Sequence, residues 1–104
     1  MVRKAFKMYL NEGQKAAYKK RHDEIWPELR KLLKDAGISE YSIFLDEETN
    51  TLFAFHKVSG TSGSQDLGQE ETQQKWWAFM SDIMKTNPDK SPVCIPLEEV
   101  FYME

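Results

Sequence analysis

A single cysteine, Cys94, stands among the 104 residues of this chain. One thiol cannot close an internal disulfide, so no covalent staple is expected, and nothing suggests the oxidising compartments where disulfide frameworks persist. No stretch approaches the roughly 18 consecutive apolar residues of a membrane span. The opening run Met1-Val2-Arg3-Lys4-Ala5-Phe6-Lys7 places charge where a secretory leader needs an apolar segment. A cytoplasmic protein is the expectation. Excess charge of one sign is also lacking: 17 acidic against 14 basic side chains leave a formal net charge of −3. Nucleic acids and anionic membranes are usually met by a clustered basic excess, so neither is an expected partner. The one basic run, Lys19-Lys20-Arg21, reads as the solvated side of a helix. Two histidines and one cysteine are too few for a structural zinc site without recruited carboxylates, and no metal is expected. Glycine-rich phosphate loops, His-Glu-x-x-His, Gly-x-Ser-x-Gly and paired Cys-x-x-Cys are missing as well.

What remains is one small domain, residues 1–104, in which 40% of residues are hydrophobic and 12% aromatic. A chain this short buries only about two-thirds of its unfolded surface, which makes a partner subunit attractive. Phe6, Met8 and Leu10 alternate with Lys7 and Tyr9, the period of a strand with one buried face. After Asn11, read as a helix cap, apolar positions at Tyr18, His22, Ile25, Trp26, Leu29, Leu32, Leu33 and Ala36 follow a helical rhythm that Gly37 ends. Pro27 lacks the N–H for that helix, which must kink or restart between Asp23 and Trp26. Residues 41–58 read as a hairpin: Tyr41, Ile43 and Leu45 share one face, Asp46 to Asn50 form the turn, and Leu52, Ala54, His56 and Val58 alternate with Phe53, Phe55 and Lys57. Ser59 to Gly68 reads as a loop. A second helix runs from about Gln69, with a stripe of Trp76, Trp77, Met80, Ile83 and Met84, to Asn87-Pro88; Leu97 to Met103 reads as a closing strand. The order β, α, β, β, α, β is that of a ferredoxin-like α+β fold, an antiparallel sheet with both helices on one face. The other face then calls for a second copy packed sheet to sheet, giving a homodimer.

Two constellations carry chemistry. Tyr18 and His22, four residues apart, share the apolar face of their helix. An imidazole there is either a satisfied core histidine or a group exchanging protons near neutrality; His56, between phenylalanines in a strand, reads more simply as core. Trp76 and Trp77 diverge by about 100° on their helix, so one walls a site while the other packs or borders it. Indole faces suit the C–H faces of a sugar ring, and Tyr41 on the hairpin supplies a third wall. A neutral polyhydroxylated ligand handled by one proton-transfer group needs no cofactor. Opening and reclosing a cyclic hemiacetal is such a reaction, although composition alone does not select it.

The chain closely resembles the L-rhamnose mutarotase family. The resemblance rests on Arg3-Lys4-Ala5-Phe6, YKKRHDEIWPEL from Tyr18, YSIFLDEETNTLFA from Tyr41, KWWAFMSDIM from Lys75, and NPDKSPV with LEEVFYM near the end. It implies a dimeric α+β barrel of ferredoxin-like type, acting without a cofactor in rhamnose metabolism. It further implies His22, which precedes IWPEL, as the catalytic proton donor, and Tyr18, Tyr41, Trp76 and Trp77 as the positions that bind the sugar. The Gly60–Glu71 stretch is more polar and glycine-rich than that family's pattern; none of the carried-over residues lies within it. Two other classes remain open at this point: another cofactorless barrel enzyme, a monooxygenase or isomerase with an apolar substrate, and a non-catalytic sugar-sensing module.

Overall fold

The computed structural model describes residues 1–60 and 62–104; Thr61, within the loop read from sequence, lies outside them. Four strands and three helices follow in the order β1 (Val2–Tyr9), α1 (Lys15–Asp23), α2 (Pro27–Asp35), β2 (Ile38–Asp46), β3 (Thr51–Val58), α3 (Glu71–Met80) and β4 (Ile95–Leu97), with a 3₁₀ turn at Ser64–Asp66 before α3. The strands form one antiparallel sheet in the order β2-β3-β1-β4. This is the ferredoxin-like arrangement expected from the element order.

Alternation along the strands decides which face is covered. Phe6, Met8, Leu10, Leu52 and Ala54 are buried and join Tyr18, Leu29, Trp76, Trp77 and Met80 in one core beneath the helices. Burying a side chain such as Leu29 or Leu52 contributes about 1.5–3 kcal/mol. Residues of opposite parity point away, and there Phe44 stays 67% and Phe53 40% exposed. Ile95 and Leu97 of β4 lie opposite Lys7 and Ala5 and add to the same apolar outer surface.

Of the two outcomes expected before Pro27, a kink or a restart, the helix takes the restart. Glu24 and Ile25 N–H groups close the end of α1 on the Lys20 and His22 carbonyls, and Pro27 opens α2 at the position where its missing N–H costs nothing. Asn11 does not cap α1; its side chain and backbone N–H bond to the Asp82 and Ile83 carbonyls, tying the end of β1 to the segment after α3. The second helix is shorter than its apolar stripe suggested. It stops at Met80, and Ile83 and Met84 reach the core from an irregular segment held to β1 by the Leu10–Met84 bridge and a Lys85 N–H to the Tyr9 carbonyl. Buried side chains there mimic a helical stripe without helical backbone.

The closing strand is displaced from the expected Leu97–Met103 to Ile95–Leu97. Only Ala5 to Lys7 of β1 pair with it. Beyond, the chain is fastened by side chains: Arg3 makes a two-pronged bond to Glu99 and lies 3.5 Å from the Tyr102 ring centre. Val100, Phe101 and Met103 are exposed.

Candidate active site

The site is built where α1, α3, the bulged strand β2 and the Ser64 turn converge. Helical spacing stacks the His22 ring on Tyr18, centroids 4.3 Å apart and 28° from parallel. His22 Nδ1 lies 3.0 Å from the Tyr18 carbonyl oxygen. A carbonyl only accepts, so Nδ1 carries the proton and the neutral ring keeps its lone pair on Nε2. Burial pushes the His22 pKa below its usual value, against the opposing effects of the Tyr18 carbonyl and the Asp23 charge. The imidazole is therefore neutral at pH 7. Burial also raises the Tyr18 phenol far above its ordinary pKa, with Tyr41 adding to the rise, so Tyr18 stays protonated.

Tyr41 reaches the site through a β-bulge. Ser39 pairs with Lys57 and Ser42 with Phe55, which leaves Glu40 and Tyr41 together opposite His56. Glu40 takes the left-handed conformation, φ 51°, and its carboxylate holds Lys57 at 3.0 Å. Bulges re-aim side chains, and this one sets the Tyr41 ring edge-on to His56 at 4.9 Å. The Tyr41 hydroxyl lies 3.1 Å from Ser64 Oγ, and burial pushes its pKa up to about 12 despite that bond.

The two tryptophans divide their work. Trp76 stands edge-on to His22 at 5.3 Å and to Trp26 at 5.1 Å, giving the imidazole a second aromatic neighbour besides Tyr18. Trp77 packs against Gly68, so closely that a Cβ there would come within 3.2 Å of its ring. Both are largely buried, presenting only part of each indole to a ligand. Tyr18, His22, Tyr41, Trp76 and Trp77 all line a single cavity of about 680 Å³, within the range of small-molecule sites. Among the described residues no group of three or more His, Cys, Asp and Glu side chains is placed to hold a metal ion.

Among the polar residues of this lining that sequence reasoning missed are Ser64, Gln65 and Gln73. Gln73 is 4% exposed, and its Oε1 has no partner among the described residues. Its position three residues before Trp76 puts it on the same helix face, which was a legible sign. Ser64 had none, because only the folded loop brings it to Tyr41.

The sequence matches the L-rhamnose mutarotase family over residues 3–103. The chain belongs to that family. It is 73% identical over 104 residues to the L-rhamnose mutarotase of Formosa agariphila and 62% identical to that of Bacteroides thetaiotaomicron, with 100% of each chain covered in both. A crystal structure of an L-rhamnose mutarotase from Formosa agariphila superposes with a TM-score of 0.93 at 69% identity, again over 100% of both chains. The mutarotase assignment favours a carbohydrate isomerase over a monooxygenase or a sensing module. Within this mutarotase fold Ser64 lies against Tyr41 and Gly68 against Trp77.

Proposed function

We propose that the cavity carries out the reaction the family assigns to this chain, interconversion of the α and β anomers of L-rhamnose, with His22 as the proton-transfer residue. The neutral Nε2 of His22 takes the proton of the anomeric hydroxyl as the bond between the anomeric carbon and the ring oxygen breaks. The ring oxygen receives a proton from the Tyr18 hydroxyl or a water beside it. The open-chain aldehyde turns about the bond joining it to the next carbon, the hydroxyl formed from the ring oxygen attacks the other carbonyl face and gives its proton back to Tyr18 or the water, and His22 returns its own proton to the carbonyl oxygen. Acid in one direction and base in the other, His22 ends unchanged. Trp76, Trp77 and Tyr41 position the sugar, the indole faces against C–H groups and Tyr41 against a hydroxyl. The observation that carries this reading is the bond between His22 Nδ1 and the Tyr18 carbonyl, which leaves Nε2 as the free nitrogen of a neutral imidazole in an aromatic cavity. Saturation-transfer NMR on the two anomers of L-rhamnose tests it: His22→Ala is expected to abolish most of the enzymatic exchange.

The outer sheet surface supports a second part of the proposal, a homodimer formed face to face. Phe44, Phe53, Ile95 and Leu97 lie exposed on one face, beside a tail that exposes Val100, Phe101 and Met103. Covering such a patch with a second copy removes it from water. Sedimentation returning only a 12.2 kDa species would reject the dimer. No helix among the described residues is long and apolar enough to cross a membrane; a cytoplasmic location is proposed on the free thiol of Cys94, which a reducing compartment keeps reduced, and fractionation of expressing cells tests it.

A further inference from the structure

Behind Tyr41 lies a chain of hydrogen bonds whose directions can be worked out. The backbone N–H of Ser64 donates to His56 Nε2 at 3.2 Å. Nε2 is therefore an acceptor, and the neutral imidazole carries its proton on Nδ1. Ser64 Oγ lies 3.2 Å from the same nitrogen. Two bare acceptors at that distance would repel, so the proton between them is the serine's own. With that proton committed, the bond between Ser64 Oγ and the Tyr41 oxygen at 3.1 Å takes its hydrogen from the tyrosine. The Gln65 side-chain amide, 3.5 Å away, adds a second donor to the same Oγ. Tyr41 thus gives its only proton to Ser64 and faces the ligand with lone pairs.

The relay is built rather than incidental. His56 is fully buried and Ser64 2% exposed. The turn that delivers the Ser64 N–H is locked by Gly63 N–H to Asp66 Oδ2 at 2.7 Å and by Asp66 N–H back to the Gly63 carbonyl at 3.0 Å. It presses so closely on the strand that a Cβ on Gly63 would lie 2.9 Å from Lys4 Cδ and 3.0 Å from His56 Cε1. Burial lowers the His56 pKa, opposed by its own backbone carbonyl, helped by the nearby Lys4 charge and opposed again by Asp66.

We propose that Ser64 and His56 are positioning residues that hold the Tyr41 hydroxyl as a hydrogen-bond acceptor, so that the sugar hydroxyl meeting Tyr41 must donate; this rests on Tyr41 contacting the sugar as set out above. The consequence is specificity. Fluorine in place of that hydroxyl accepts but cannot donate, and faces the tyrosine lone pairs unpaired.

The test measures affinity and anomer exchange for L-rhamnose and for analogues in which each ring hydroxyl except the anomeric one is in turn replaced by fluorine. Wild type should disfavour one such analogue by roughly three- to tenfold, the weight of one neutral hydrogen bond. Ser64→Ala keeps the backbone N–H on His56 but frees the tyrosine proton, so this discrimination should fall toward unity, while Ser64→Ala adds nothing in a Tyr41→Phe background. His56→Gln, which offers an acceptor near the place of Nε2, should retain the discrimination, and His56→Leu should lose it. A folded Ser64→Ala variant with undiminished discrimination overturns the proposal. If Ser64→Ala does not fold, equal discrimination in the two His56 variants overturns it. Unchanged affinity and discrimination in Tyr41→Phe removes Tyr41 from the sugar site and takes the underlying reading down as well, a result distinct from failure of the relay alone.

Discussion

Replacing His22 by alanine separates the chemistry of the cavity from its shape. The substitution removes the free Nε2 lone pair but leaves Trp76, Trp77 and Tyr41 on other elements, α3 and β2. Binding should change little while turnover collapses. A positioned acid–base group contributes about 10²–10⁴-fold, equal to roughly 2.7–5.4 kcal/mol of barrier at about 1.36 kcal/mol per tenfold. The lost stack on Tyr18 and edge contact with Trp76 cost about 0.5–1.5 kcal/mol each in stability, well short of unfolding a typical domain. Saturation transfer between the anomeric proton signals of L-rhamnose, with the spontaneous exchange subtracted, gives the rate directly. The pH profile supplies a second signature. His22 acts from its neutral form and its pKa is lowered by burial, so the wild-type rate should hold steady down through pH 6.5 and fall only below it as the ring protonates. The alanine variant should show no such step. An undiminished rate, or a wild-type rate that climbs on acidification, would refute the role given to His22.

Gly68→Ala pushes a methyl group to within 3.2 Å of the Trp77 ring; KM for L-rhamnose should rise severalfold with little change in melting temperature, measured by steady-state exchange and thermal unfolding. Gly37 has φ +84° and a would-be Cβ 2.1 Å from Ser59 Oγ, so Gly37→Ala should lower unfolding free energy by about 1–3 kcal/mol in denaturant titration. Phe53→Glu places a charge on the outer sheet face and should convert a dimer to monomer in sedimentation, with the fold kept by circular dichroism. Stability should also decline on acidification: His22 and His56 both have folded pKa values below 6.5, so the unfolded chain binds protons first as pH falls through about 6.5, and folding loses free energy from there downward. Melting temperatures between pH 8 and pH 5 check the sign.

Much of the architecture was legible because burial has a period. Strand alternation named Phe6, Met8 and Leu10 as inward residues, and the spacing of Tyr18 and His22 placed them on one helix face. Where the reading slipped, a local pattern had two structural causes. Ile83 and Met84 continued the stripe of Trp76 and Met80, yet they are buried from an irregular segment. The apolar tail from Val100 to Met103 looked like a strand, but β1 offers pairing only at Ala5 to Lys7. A run of side chains records which residues seek burial, not which backbone groups find partners.

The sequence by itself determined the element order, the break at Pro27, the family, and the five aromatic and imidazole residues that line the cavity, since each follows from local periodicity or from a motif of contiguous residues. Tertiary structure alone decided how those residues are charged and aimed. The bulge at Glu40 turns Tyr41 toward His56, a loop without helix or strand periodicity delivers Ser64, and the Tyr18 carbonyl fixes which nitrogen of His22 is free. Proton positions depend on which donor meets which acceptor across the fold, and no spacing along the chain encodes that.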